Sequence, residues 1–190
     1  MEAASMPYPA SLAIDYPEET DRLTTFFRLI VILPVAVLMY LLGRALTLPI
    51  ILLMLFRKKY PRWWYDWNLN LTRLSFRVSA YLLLLSHVYP SVDEDQGVHL
   101  TLEPPDASQL SRGLPLIKWF LAIPHFIVLY FLAVAVGVLT VLAWFAVLFT
   151  GRYPRGYFNF VVGVMRWFLR VEAYALLLTT DEYPPFSLDP

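Results

Sequence analysis

Two pairs of arginines are the side chains in this sequence best suited to chemistry. Arg73 and Arg77 stand four residues apart, as do Arg166 and Arg170, a spacing that puts both members of a pair on one face of a helix. At about 100° per residue, Asp66, Asn70, Arg73, Arg77 and Tyr81 fall within a stripe roughly 80° wide. Asn159, Arg166, Arg170 and Tyr174 fall on the same stripe of a second segment. Arginine keeps its charge when buried, and its planar fork of donors suits carboxylate or phosphate oxygens. Three roles are open to such a stripe. Its four arginines turn inward and bind an anion or lipid head group; its helix lies in a membrane interface with the polar face toward water; or it holds the protein's own parts together through carboxylates and backbone carbonyls.

Other chemistry is sparse. His87, His99 and His125 each lack a second histidine three or four residues away, so no metal site is expected. No nucleophile elbow, zinc-protease helix, P-loop or dinucleotide fingerprint occurs. The run Gly151-Arg152-Tyr153-Pro154-Arg155-Gly156 is expected to form a basic turn, and Asp93-Glu94-Asp95 a solvated linker. No cysteine is present, which excludes disulfides, thiolate nucleophiles and cysteine-ligated metals. Lys+Arg 15 balances Asp+Glu 15, so no basic surface points to nucleic acid. The expectation is a protein that is not an enzyme, with no cofactor.

The elements that carry these side chains are set in an oily chain. Hydrophobic residues make up 58% and charged residues 16%, against about 25% charged in a typical soluble domain. Between Leu29 and Phe56 the one charged side chain is Arg44, and between Trp119 and Phe149 His125 stands as the one imidazole with no full charge beside it. A membrane crossing needs about 20 apolar residues, and both runs exceed that. Pro34 and Pro124 near their starts predict kinks. The expectation is an interfacial lead-in and a tilted span, or else a re-entrant hairpin broken near Gly43 or Gly137. Met1–Thr25 has no apolar core of a signal peptide, so the first run is expected to serve as the insertion signal.

Shifting the chain on itself by 93 residues lays Phe56–Leu85 over Phe149–Leu178 with 12 of 30 positions identical. Tyr60-Pro61-Arg62 falls on Tyr153-Pro154-Arg155, Arg73 on Arg166, Arg77 on Arg170 and Tyr81 on Tyr174. With small gaps, Arg28…Pro34 resembles Lys118…Pro124. This predicts a first repeat unit over 1–92, an acidic and proline-bearing linker over 93–111, and a second unit over 98–190. Ser11–Tyr16 and Val98–Glu103 alternate as half-exposed strands do, with His87–Val92 and Phe186–Asp189 as their expected partners. The expected fold class is an all-α integral membrane protein of two tandem parallel repeats. Each would hold two hydrophobic helices, one long and proline-kinked and one with the arginine stripe, beside short surface β segments. The basic loops 57–62 and 150–155 predict a cytoplasmic side, and Trp63, Trp64, Tyr65 and Trp67 an interfacial belt.

Several motifs carry a likeness over most of the chain. Tyr8-Pro9-Ala10-Ser11-Leu12…Asp15-Tyr16-Pro17, Asp21-Arg22-Leu23-Thr24-Thr25-Phe26-Phe27-Arg28-Leu29, Ala122-Ile123-Pro124-His125 and Leu148–Gly156 are the first. Arg166…Arg170-Val171…Tyr174-Ala175-Leu176-Leu177 and Tyr183-Pro184-Pro185-Phe186 extend them. The chain thereby resembles a bacterial family of duplicated membrane domains of unknown function. It departs from the pattern at Arg57-Lys58-Lys59, where Thr-Gly-Arg would stand. The resemblance implies the bacterial plasma membrane and supplies no activity. The expected function is a non-enzymatic accessory or scaffolding subunit of a membrane complex. Its expected partners are membrane lipids and other membrane-protein subunits, and Ala133, Ala135, Gly137 and Ala143 offer a small-residue packing face. The alternative is an anionic-lipid or small-anion binder or transporter that uses Arg73, Arg77, Arg166 and Arg170.

Overall fold

The computed structural model describes residues 8–18, 25–28, 31–35, 37, 47–92 and 96–189. Arg22, Gly43, Arg44 and the acidic Asp93–Asp95 stretch lie outside the described residues. In chain order the elements are β1 (Ala10–Ile14), α1 (Thr47–Arg57), α2 (Arg62–Leu82), β2 (Val98–Leu102), α3 (Leu114–Leu121), α4 (Ile123–Thr150) and α5 (Arg155–Ala175). Helical backbone also occurs at 25–28 and 31–35.

Proline sets the start of three helices. Pro61 and Pro154 precede α2 and α5 with φ of −64° and extended ψ, the ring-fixed angle from which a helix can begin. Pro124 occupies the first turn of α4, and the chain breaks from α3 at Ala122, where the missing proline amide costs no helical bond. Thus the helical run is interrupted two residues before Pro124. α4 then runs unbroken through Gly137 to Thr150, without a re-entrant turn. Gly151 ends it with φ 75°, its amide donating to Val147 O at 2.8 Å, a left-handed cap that glycine adopts without strain.

β1 and β2 pair antiparallel, with Leu12 opposite Leu100. The expected pairing of each strand with 87–92 and 186–189 is therefore corrected: the two strands pair with each other. Ala10, Leu12, Ile14, Val98, Leu100 and Leu102 turn into the core, and Ser11, Ala13, His99 and Thr101 face out. α5 packs along β1 and α2 along β2, with Leu85, Val161, Leu169 and Ala175 buried in the same core. The C-terminal segment folds back over α5, and Leu188 comes so near Gly163 that a Cβ there would meet it at 3.0 Å.

The expected fold class does not hold. Two repeats of two membrane helices require four apolar crossings, whereas among the described residues α4 is the one helix long and apolar enough to cross a membrane. α1 has 11 residues, about 16 Å of helix. α2 and α5 are amphipathic, and their arginine-bearing faces lie against the strands. The reason is that reading α2 and α5 as hydrophobic membrane helices counts their apolar residues without showing what covers them. In α5 those residues fill a protein core.

Candidate functional site

The arginine stripes meet the edges of the ribbon. Asp15 N donates to Gly97 O and Glu103 N to Pro9 O, so odd-numbered β1 residues form the mutually bonded pairs and even-numbered ones point their carbonyls outward. An outward carbonyl beneath a covering helix needs a donor. Arg166 Nε supplies one to Leu12 O at 2.9 Å, and Arg73 Nε supplies one to Leu100 O at 3.3 Å. Tyr65 OH donates to Leu102 O at 2.5 Å. Leu12 and Leu100 are paired residues, so the two arginines approach opposite edges of one ribbon and do not converge on a common point.

The second arginine of each pair ties down a chain segment. Arg77 Nη1 donates to Ser91 O at 2.5 Å. Arg170 donates to Asp189 O at 2.5 Å and Ser187 O at 3.4 Å, while Arg166 Nη1 reaches Leu188 O at 3.3 Å. The segments expected as strands are instead held by guanidiniums. Burial lowers the Arg166 and Arg170 pKa values from their ordinary level, and for Arg170 the neighbouring Arg166 charge adds to it. Asp66, Asn70 and Asn159 are exposed and stand apart from this bonding.

Tyr81 and Tyr174 are buried, and each lies beneath a buried cation. Arg28 stands over the Tyr81 ring at 4.3 Å, and Lys118 over Tyr174 at 5.0 Å, close enough for cation–π attraction. Lys118 Nζ donates to Thr180 O at 2.6 Å and pairs with Asp181 Oδ1 at 2.8 Å. Burial lowers the lysine, with Asp181 opposing. Burial also acts to raise Asp181, but the Lys118 bond and the Ser111 amide outweigh it and hold the carboxyl below its usual range. Arg28 Nη1 donates to Tyr81 O at 2.5 Å; Nε and Nη2 have no acceptor among the described residues. These two cations were missed as site residues in the sequence. The available signal was the matched spacing of Arg28 to Pro34 and Lys118 to Pro124, together with the Tyr81 and Tyr174 match.

His125 is a structural acceptor at the start of α4. Trp167 Nε1, which can only donate, gives its hydrogen to His125 Nδ1 at 3.0 Å. Phe186 stacks on the imidazole at 3.9 Å between centroids, with Tyr183 at 4.8 Å. This aromatic group fastens the C-terminal segment to α4 and α5.

The stretch that contains Lys118, His125, Arg166, Arg170 and Asp181 has a counterpart among known families. A domain of unknown function, DUF4389, is found at residues 115–187. The DUF4389 stretch covers nearly all of α3, the whole of α4 and α5, and most of the segment folded over them. No curated protein and no solved structure matches the chain.

Proposed function

We propose that this protein is a non-enzymatic scaffolding subunit of the bacterial plasma membrane, attached through α4 and presenting that helix to lipid and to the helices of a partner. The carrying observation is the surface of α4. Only 17% of its most apolar 18-residue window is buried, and Phe131, Val138 and Phe149 are 67%, 57% and 78% exposed. A core helix of a water-soluble protein would be covered, and an apolar surface of this length in water is costly. Ala133 and Gly137, four residues apart, suit close approach by another helix. The use of Arg73, Arg77, Arg166 and Arg170 on backbone carbonyls favours an architectural role over ligand chemistry for the stripe.

The absence of native cysteine makes the test direct. Val138→Cys in cells should resist a water-soluble maleimide until detergent is added, and the chain should stay in the pellet after alkaline carbonate extraction. A photo-crosslinker at position 134 should trap one discrete membrane protein. Labelling without detergent, or carbonate release, would overturn the membrane attachment; lipid adducts alone would overturn the scaffolding role.

A further inference from the structure

Arg28 leaves two buried guanidinium donors unbonded, Nε and Nη2, where Arg77 and Arg170 each leave Nε alone. Arg28 is 2% exposed, yet among the described residues Nε and Nη2 have no hydrogen-bond acceptor and no ion pair holds it. A buried charge is ordinarily paired, and an unpaired guanidinium cannot lose its proton to escape. The orphaned atoms are not an arbitrary pair. Nε–H and Nη2–H form the side edge of the guanidinium, whose parallel donors match the two oxygens of a carboxylate or phosphate.

That residue also lines a cavity of about 320 Å³. The rest of the described wall is largely apolar, with Phe26, Leu82, Leu84, Val141 and Trp144 around it and Thr25 and Thr140 as its hydroxyl-bearing members. Phe26 and Val141 are 60% and 57% exposed, so the cavity borders the outer apolar surface. A fixed positive fork and apolar walls are complementary to a molecule with an acidic head and a hydrocarbon chain. Lys118, by contrast, has the same tyrosine platform and a carboxylate of the chain itself, Asp181. Position 88, which the 93-residue shift places under Asp181, is valine.

We propose that this cavity binds one anionic amphiphile, its carboxylate or phosphate accepting both side-edge donors of Arg28 and its chain lying against Phe26, Leu84, Val141 and Trp144. The inference rests on the cavity and not on α4 crossing a membrane, so either can fail without the other. Fatty carboxylates and lipid phosphates share the required chemistry.

The test is calorimetric titration of the detergent-solubilised full chain at pH 8 with palmitate, hexadecyl phosphate and hexadecanol. One or both anions should bind at one per chain and at least tenfold more tightly than the neutral alcohol. Tighter palmitate assigns the site to a fatty carboxylate, and tighter hexadecyl phosphate to a lipid phosphate. Arg28→Lys keeps the charge but loses the fork, and should weaken the preferred anion at least fivefold. Val141→Trp fills the cavity without touching Arg28 and should abolish binding while the melting temperature holds. If Arg28→Lys unfolds, Val141→Trp decides. Equal affinity for hexadecanol, no saturable binding of either anion, or undiminished binding to a folded Val141→Trp protein would overturn the proposal.

Discussion

Arg28 over Tyr81 and Lys118 over Tyr174 share one geometry, a buried cation on a tyrosine ring, and differ in what else each cation meets. Both cations are buried, and both sit on a tyrosine of an arginine-striped helix. Around Lys118 the chain supplies every partner, a carbonyl and a carboxylate. Around Arg28, among the described residues, it supplies one carbonyl and leaves two donors without an acceptor, beside a cavity that Arg28 lines. The difference separates two buried charges: one whose circuit the protein closes itself, and one that, on the proposal above, an anionic ligand would close.

The comparison extends along the two arginine-striped helices and can be broken at each step. The largest effect is expected at the closed cation. Asp181→Asn leaves the Lys118 ammonium with a carbonyl and a ring face, and should cost about 2–3 kcal/mol in thermal melts, somewhat below a fully buried pair because Asp181 keeps some exposure. If the loss is below about 0.5 kcal/mol, the ion pair does not stabilise this half and the contrast with Arg28 lapses.

Next come the ribbon edges. Arg166 serves two carbonyls, Leu12 O and Leu188 O, whereas Arg73 serves Leu100 O at a longer distance. Arg166→Gln should cost roughly 2 kcal/mol and Arg73→Gln roughly 1 kcal/mol, from hydrogen bonds to charged donors. Hydrogen exchange of β1 and β2 amides should rank the two variants in that order, and the reverse order would contradict the two-edge account.

A third contrast titrates. Glu172 is partly open to solvent but crowded by the packed core around α5, and desolvation pushes its carboxyl up to about 7. Its counterpart under the 93-residue shift is Ser79. A carboxyl raised on folding binds more protons in the native state, so its contribution is whole below the ordinary glutamate range and is lost as pH rises through about 7. Melting temperature should therefore fall between pH 5 and 8, by the equivalent of about 1–2 kcal/mol after discounting for partial exposure. Glu172→Gln should remove that slope, and an unchanged slope would place its origin elsewhere.

The smallest effect concerns the helix ends. Gly151 closes α4 in the left-handed region at φ 75°, while Lys58, 93 residues earlier, does the same after α1 at φ 47°. Lys58→Gly should stabilise by about 0.5–1 kcal/mol through relief of that strain, reduced by loss of the Lys58 bond to Ser108 O. Gly151→Lys should destabilise by a similar amount in the same melts.

Much of this was present in residue spacing. The four-residue interval of each arginine pair implied one helical face, and the alternation in Ser11–Tyr16 and Val98–Glu103 implied half-buried strands. Pro124 implied a break, and the long apolar run after it implied α4. These are local properties: helical periodicity, pleat alternation and a missing amide act within a few residues. What lay beyond reach was partnership. Only folding decided that β1 pairs with β2, that Arg73 and Arg166 reach opposite edges of that ribbon, and that most apolar residues of α5 are covered by protein while most of those on α4 are not. The same holds for Arg28 and Lys118, since a carboxylate 63 residues from Lys118 completes one cation and an apolar cavity borders the other. Periodicity states which faces an element has, but the neighbour that each face meets depends on long-range packing, and no short window of residues contains it.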